Sequence, residues 1–195
     1  MSRVQWPGSV LLAPVPVCLV TCEYNGIKNV FTVAWTGTVC TRPPMTYISV
    51  RPERFSYGLI KESGVFVVNL VTEQLVRAAD WCGVKSGRDV DKFAELGLLI
   101  EKSPELGLPM ISSSPLAMEC RVREIIPLGS HDMFLADIVG ISVDDRVVDD
   151  NGALNLEKAD LAAYSHGSYY ALGKNLGTFG FSVKKKRNGR NRKAK

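Results

Sequence analysis

The chain has 195 residues, of which 46% are hydrophobic and 23% are charged, and this composition excludes an intrinsically disordered protein. Its formal net charge is +4, yet eight bases and no acid lie in residues 184–195, which leaves 16 bases against 20 acids in the rest of the chain. We therefore predict one domain over residues 1–183 and a disordered basic tail over residues 184–195. The alternatives are that this tail contacts nucleic acid or another anionic surface weakly, or that it is an artificial extension.

The cysteines, histidines and apolar stretches exclude further classes. Five cysteines are scattered without Cys-x-x-Cys spacing and there are two histidines, so we expect neither a metal site nor a disulfide framework. The apolar stretch 10–21 is short and is interrupted by Pro14 and Pro16, which predicts no membrane segment and no signal peptide. Reduced thiols and a cytoplasmic location follow as expectations.

The first half of the chain predicts strands around a single helix. Residues 15–22 are apolar on both alternating faces, which is typical of a strand covered on both sides. Asn25 and Gly26 then predict a tight hairpin before a second strand. The elements that follow are the second strand over 30–35, a strand over 45–50, a helix over 52–63 that ends before Gly64, and a strand over 65–70.

Two more helices and a strand pair are predicted in the second half. Thr72 is expected to cap one helix, and Ser86 is expected to cap the next, with Asp89 three residues on and Gly97 at its end. Strict alternation over 116–122 predicts a half-exposed antiparallel strand with Glu119 on the solvent side, and residues 131–142 return as its partner. Six or so strands connected mostly as hairpins predict a mainly β fold with inserted helices, in the form of a small closed barrel.

Several widespread motifs are missing from the sequence. There is no Gly-x-Gly-x-x-Gly run, no phosphate loop ending in Gly-Lys-Ser/Thr, and no Gly-x-Ser-x-Gly. A Rossmann dinucleotide site, an NTPase or kinase of that type, and a serine hydrolase are therefore not indicated.

Polar side chains collect in three segments of the first half, 29–35, 49–57 and 86–93. Together they offer hydroxyls, one amide, two or three cations and an indole, which are the groups needed to hold a flat aromatic ring system that carries a phosphate. Ser49-Val50-Arg51 ends a predicted strand and leads into a helix, so this corner suits a phosphate. Ser56 follows one turn into that helix.

Each of these candidates also has a purely structural interpretation. Arg51 could pair with a surface glutamate, Glu53 or Glu62. The remaining interpretations are Trp35 as a core residue, Lys92 as an exposed helix lysine paired with Asp89, Asn29 as a turn residue, and His131 as a hydrogen-bonded residue at a strand end.

In order and spacing, these segments resemble the flavin reductase-like family of FMN-binding split barrels, and within it the flavoredoxin group, over roughly residues 8–182. The resemblance implies a split β-barrel that binds FMN, and it assigns no catalytic side chain and no metal. Tyr164 stands where the family commonly has Phe, and Ser56 where it has Thr. The implied cofactor-binding residues are Asn29, Thr32, Val33, Ala34, Trp35, Ser49, Val50, Arg51, Ser56, Lys92, His131 and Tyr164.

The resemblance also implies a function. It predicts a homodimeric oxidoreductase that passes electrons from NAD(P)H or a redox protein, through bound FMN, to a second acceptor. It places Lys92 beside the flavin, where a cation near the N1/C2-carbonyl edge would favour the anionic reduced ring. Two alternatives stay open: an FMN-binding electron carrier without turnover, and a non-flavin protein that uses the basic tail on nucleic acid, although a nucleic-acid partner is not favoured.

Overall fold

The computed structural model describes residues 2–184, so residues 185–195 of the predicted basic tail lie outside the described part. The strands of this part are β1 Val15–Pro16, β2 Cys18–Tyr24, β3 Ile27–Val33, β4 Thr36–Thr41, β5 Pro44–Val50, β6 Val65–Leu70, β7 Ile100–Lys102, β8 Pro109–Ile111, β9 Leu116–Pro127, β10 Asp132–Val143, β11 Ala162–Ser165 and β12 Ser168–Ala171. The α-helices are α1 Phe55–Ser63, α2 Val76–Val84 and α3 Lys92–Leu96. No helix within residues 2–184 has the length and apolar character to cross a bilayer.

A seven-stranded antiparallel sheet in the order β3-β2-β6-β9-β10-β5-β4 forms the body of the fold. β3 and β4 lie at opposite ends of this order, yet only Ala34 and Trp35 connect them. A connection of two residues spans no more than roughly 11 Å, so the sheet must curl until its two ends meet at this corner. No ladder joins β3 to β4 among the described strands, so the barrel is split, and the expectation of a closed barrel is wrong.

Hydrophobic side chains fill both sides of the curled sheet. On the inner side, Val20 of β2 packs with Phe66 of β6, Phe134 of β10 and Ile60 of α1. On the outer side, Leu19 of the same β2 packs in a second cluster together with residues of α2 and α3. This confirms the prediction that β2 is covered on both faces. Cys18 and Cys22 both lie in the inner cluster, where burial raises the pKa of each thiol to about 12.

The helix ends agree with the sequence at some positions and differ at two. The first helix begins at Phe55 and not near Pro52, because residues 52–54 form a turn and Arg54 is the N-cap residue. Gly64 follows α1 with φ of 69°, a left-handed conformation that glycine adopts without steric cost, and Thr72 accepts a hydrogen bond from the backbone N–H of Leu75 ahead of α2. The predicted start of α3 at Ser86 is wrong. Asp91 caps α3 by accepting from the N–H groups of Phe93 and Ala94, because residues 86–91 form a loop that packs against β3.

The prediction of a half-exposed strand over 116–122 is also wrong on one point, the exposure of Glu119. Glu119 is only 1% exposed, and its carboxylate accepts hydrogen bonds from the backbone N–H groups of Glu105 and Leu106, at 2.6 Å for Leu106. The β7–β8 excursion folds back over this part of β9, and Leu108 packs on Ala117 and Val67 there. The buried carboxylate therefore anchors a segment that the local pattern leaves in solvent.

Replacing Glu119 with alanine is expected to lower the free energy of unfolding by about 2–4 kcal/mol, because two amides lose their acceptor under the excursion. Glu119→Gln keeps one acceptor oxygen and should cost less. Glu124→Ala is the matched control, because Glu124 lies exposed on the same strand and its loss should change stability by no more than about 0.5 kcal/mol. Urea denaturation measures all three variants, and equal midpoints for the alanine variants would contradict the anchoring role.

Candidate functional site

The corner between β3 and β4 is where α1, the end of α2 and the loop before α3 come together. Two adjoining cavities of about 330 and 480 Å³ open at this corner. The smaller is the basic cavity, which reaches Lys92, and the larger is the aromatic cavity, which reaches Trp35. They form one groove, since both are lined by Phe31, Thr32, Arg51, Arg54 and Gly83. Its size is within the roughly 300–1,000 Å³ typical of small-molecule sites.

Positive charge dominates the basic cavity. One carboxylate, that of Glu53, stands against five cationic side chains: Arg51, Arg54, Lys85, Arg88 and Lys92. The N-terminus of α1 opens into the same space, because Phe55 and Ser56 line it. The first turn of α1 contains no acid, and its N-cap residue supplies no side-chain acceptor. Helix amides without an intrahelical partner, together with arginine and lysine, make this cavity suited to an anion.

A buried hydrogen bond forms the inner wall of the basic cavity. Asn29 Nδ2 donates to Ser56 Oγ at 2.7 Å, and the two residues are 4% and 1% exposed. Gly87 passes close by, because a Cβ atom there would lie 2.3 Å from Asn29 Oδ1 and 2.8 Å from Cδ1 of Phe55. Only glycine at position 87 lets the loop approach Asn29 this closely. Asn29 lies within β3, so its interpretation as a turn residue is wrong.

Lys92 is buried at the inner end of the basic cavity. It is 3% exposed, and its Nζ donates to the backbone carbonyl of Cys82 at 2.8 Å, near the C-terminus of α2. The interpretation of Lys92 as an exposed lysine paired with Asp89 is thus wrong. Burial lowers the pKa of Lys92 from its ordinary value, because the charged ammonium loses solvation there. A charge held in this way is available to an anion that enters the cavity.

Aromatic rings and a few polar groups line the second cavity. Trp35 at the corner is half-buried and lines this cavity, so it is not a core residue. Tyr164 and Tyr169 stand edge to face with ring centroids 5.4 Å apart. Tyr169 donates to Asp80 at 3.2 Å, and burial followed by this hydrogen bond raises the pKa of Tyr169 to about 12. Burial, and next the charge of Arg51, lowers the pKa of His131.

Comparison with known families identifies the chain. The family model described as "Flavin reductase like domain" matches residues 11–173. The chain belongs to the flavin reductase-like domain family.

Two relatives illustrate the range of the family. An uncharacterized protein of Aeropyrum pernix is 35% identical over 69% of this chain, and the match spans 52% of the relative, about half of its length. An NADPH-flavin oxidoreductase of Streptomyces viridifaciens is 25% identical over 65% of this chain and 65% of its own length.

Two solved structures have the same fold as this chain. The flavoredoxin of Desulfovibrio vulgaris (Miyazaki F) superposes with a TM-score of 0.87 at 28% identity, covering 94% of this chain and 100% of its own. The flavoredoxin from Methanosarcina acetivorans superposes with a TM-score of 0.85 at 26% identity, with the same coverage. The split-barrel fold predicted from the sequence is thereby confirmed.

The structure brings all twelve predicted cofactor-binding residues of this flavin reductase-like chain to one groove. Three of the twelve line the basic cavity and not the aromatic cavity: Asn29, Ser56 and Lys92. The aromatic cavity is lined by Thr32, Val33, Ala34, Trp35, Ser49, Val50, Arg51, His131 and Tyr164. The structural interpretations of two residues also hold, since Arg51 Nη1 lies 3.4 Å from Glu53 Oε1 on the surface and His131 Nδ1 lies 2.9 Å from Ser130 Oγ. Contact of the twelve residues with a cofactor stays a prediction.

Sequence reasoning missed several lining residues. Arg54, Lys85 and Arg88 had a partial signal, because they lie within or beside the polar segments 49–57 and 86–93. Asp80 and Tyr169 had none, since α2 and the β11–β12 hairpin meet only in the folded chain. Within residues 2–184, no group of three or more His, Cys, Asp or Glu side chains could hold a metal ion.

Proposed function

We propose that the groove binds FMN, with the phosphate in the basic cavity and the isoalloxazine ring in the aromatic cavity. The observation that carries this proposal is the separation of the two kinds of lining along one groove. Lys85, Arg88, Lys92 and a helix N-terminus lie at one end, and Trp35 and two tyrosines lie at the other, with Arg51 and Arg54 between them. An apolar ligand would leave the cations of the first end without a partner, and inorganic phosphate would leave the aromatic surface of the second end uncovered.

The basic cavity matches a phosphate monoester in charge and in donors. Such a group carries about −1.5 to −2 charges at neutral pH and accepts hydrogen bonds on three oxygens. The cavity offers the first-turn amides of α1 and the buried ammonium of Lys92, with Arg51 and Arg54 at its boundary to the aromatic cavity. Residues 29, 56 and 87 pack tightly behind this space, which fixes the position of the helix N-terminus. The residues present therefore fit the phosphate end of the cofactor.

The position of Lys92 favours a phosphate contact over the ring contact expected from sequence. Lys92 lines the basic cavity, and it is not among the residues that line the aromatic cavity. Its Nζ is held by the carbonyl of Cys82 near the end of α2, and Lys85 and Arg88 line the same cavity and not the aromatic one. We therefore assign Lys92 to the phosphate and not to the N1/C2-carbonyl edge of the flavin.

The aromatic cavity would hold the ring by its own side chains and backbone. Trp35 and Tyr164 supply flat apolar surface that keeps water from the ring, and the small Ala34 between β3 and β4 lets the backbone approach. Ser49 and His131 supply hydrogen-bonding groups at the edge of this space. When bound, FMN supplies two-electron redox chemistry, and no side chain of the groove need exchange electrons itself.

The activity we propose is that of an FMN-dependent oxidoreductase. Electrons would come from NAD(P)H or a redox protein and pass to a second acceptor. Membership of the flavin reductase-like family supports this activity, as does the 25% identity to an NADPH-flavin oxidoreductase. We further propose a homodimer in the cytoplasm. Exposed apolar side chains on β10, namely Val139, Ile141 and Val143, offer a surface that a second copy could cover.

Cofactor analysis tests this function directly. Purified protein should be yellow and should release one FMN per chain, identified by mass spectrometry, with no comparable amount of FAD. Stopped-flow mixing with NADPH or NADH should then bleach the flavin absorbance within seconds. Protein that binds no flavin when supplied with FMN would overturn the proposal. Bound FMN that neither nicotinamide reduces would favour a redox-protein donor or the electron-carrier alternative.

A further inference from the structure

A third cavity adjoins the aromatic cavity on the far side of Trp35 and Tyr164, which line both. We call it the side cavity. Its volume is about 210 Å³, and its other walls are the segment 10–15 and the tip of the β11–β12 hairpin at His166 and Gly167. Nothing in the proposed placement of FMN uses this space. It opens beside the part of the groove where the ring would lie.

The chemistry of the side cavity differs from that of the groove. No Asp, Glu, Lys or Arg lines it, whereas Arg51, Arg54 and Asp80 line the aromatic cavity. Valine, leucine and alanine side chains form one wall, and the indole of Trp35 and the phenol of Tyr164 form another. No charged residue of this lining could pair with an anionic or cationic group placed here, whereas an uncharged ring would cover the exposed apolar side chains of Val10 and Leu12, so the cavity favours uncharged molecules.

His166 gives the side cavity a hydrogen-bonding group at its mouth. It occupies the first position of a two-residue hairpin turn with φ of 51°, followed by Gly167 at 83°, and the strands pair at Ser165 and Ser168. The imidazole of His166 and the hydroxyl of Tyr164 make no hydrogen bond to another side chain among residues 2–184. By contrast, His131 is hydrogen-bonded to Ser130, and Tyr169 is hydrogen-bonded to Asp80. His166 and Tyr164 can therefore both meet a carbonyl oxygen of a ligand.

We propose that the side cavity is a binding subsite for a small, uncharged, conjugated carbonyl compound of the quinone or enone class, with His166 and Tyr164 hydrogen-bonding its oxygen. The volume is below the roughly 300–1,000 Å³ of drug-sized sites, which restricts the ligand to one or two rings. The role of such a ligand as electron acceptor rests on the proposed function. The proposal that such a ligand binds in the side cavity depends only on the residues that line this cavity.

The test is calorimetric titration of the oxidised holoprotein, without an electron donor, against menadione and against 1,4-naphthoquinone-2-sulfonate. These probes share a ring system and differ chiefly in the sulfonate charge. Menadione should bind with micromolar affinity, and the sulfonate should bind at least tenfold more weakly. Absence of menadione binding, or equal or tighter binding of the sulfonate, would overturn the proposal.

Three variants locate the binding. His166→Gly removes the imidazole and keeps the left-handed turn, and Leu11→Trp fills the cavity from the N-terminal segment; each should weaken menadione binding at least tenfold. Val4→Trp is the matched control on the same segment outside the cavity, and it should leave the affinity unchanged. Menadione binding that Leu11→Trp leaves intact would place the ligand elsewhere. FMN content is measured in the same samples to separate the two proposals. If the protein lacks FMN but still binds menadione in the side cavity, the proposed function fails and the proposed subsite stands.

Discussion

Replacing Lys92 with methionine is expected to lower the affinity for FMN by about 10- to 100-fold. A hydrogen bond between charged groups contributes about 1.5–3 kcal/mol, and each 1.4 kcal/mol corresponds to about a tenfold change in the dissociation constant. Methionine preserves most of the side-chain volume, so packing should change little. Lys28→Met is the matched control, since the Nζ of Lys28 lies 5.6 Å from the ring of Phe93 in the same helix α3 but lines neither cavity. Fluorescence titration of FMN measures both variants.

The reduction potential separates the two placements of Lys92. A contact with the phosphate predicts that the flavin remaining in Lys92→Met has an unchanged potential. A contact with the N1/C2-carbonyl edge predicts a lower potential, by roughly 30 mV for each 1.4 kcal/mol lost from the reduced form. Dye equilibration distinguishes these results. FMN affinity and potential that both equal those of the parent protein would show that Lys92 acts only by capping α2.

The pH dependence of FMN binding gives a further readout for Lys92. Burial lowers its pKa below the ordinary value of 10.5, and a bound phosphate would raise the pKa again by its charge. FMN affinity should therefore be highest below the lowered pKa and should fall as pH rises through it toward 10.5, because the free protein loses the proton that the complex needs. Titrations across this alkaline range should show the slope in the parent protein and not in Lys92→Met.

The second large effect is expected for Gly87→Ala. A Cβ atom at this position would lie 2.3 Å from Asn29 Oδ1 and 2.6 Å from its Cγ, which real contacts essentially never show. The loop must then retreat from β3 or break the bond between Asn29 and Ser56. We expect a loss of about 1–3 kcal/mol in the free energy of unfolding, as for other overpacked sites. FMN affinity should fall at least tenfold, because the wall behind the phosphate moves.

Gly58→Ala provides the control for this substitution. Gly58 lies within α1, and a Cβ atom there would meet nothing within 4 Å. Alanine should therefore stabilise the helix by up to about 1 kcal/mol and leave FMN binding unchanged. Urea denaturation and FMN titration of both variants decide the matter. A Gly87→Ala protein with the stability and the FMN affinity of the parent would show that the close approach to Asn29 is not required.

The parts of the fold that the sequence predicts well are those in which local rules decide. The strand Val65–Leu70 agrees at both ends with the prediction, because an apolar run follows directly after Gly64, where glycine must end α1. The groove residues of 29–35 and 49–51 could be predicted only through the resemblance to the flavin reductase-like family, and the structure shows that they surround a corner that the chain turns in two residues.

The parts that could not be predicted depend on contacts between distant segments. Glu119 alternates in sequence like a solvent-facing residue, and only the fold of residues 103–111 over β9 buries it. Lys92 follows a helix pattern that normally exposes lysine, but the end of α2 supplies the carbonyl that its ammonium needs in order to be buried. Tyr169 and Asp80 meet across 89 residues of chain, and no local signal marks either of them.

The strand order of the curled sheet has a consequence for the biosynthesis of the protein. The β4–β5 hairpin joins the body of the sheet only through β10, which is synthesised much later. An isolated two-stranded hairpin is marginally stable in water, and this hairpin lacks its strand partner on the ribosome until residues 132–137 have emerged. The groove needs both the hairpin and β3, so we expect the groove to form late and FMN to bind only after β10 is in place. The flavin content of a preparation would then report how many of its chains have completed folding.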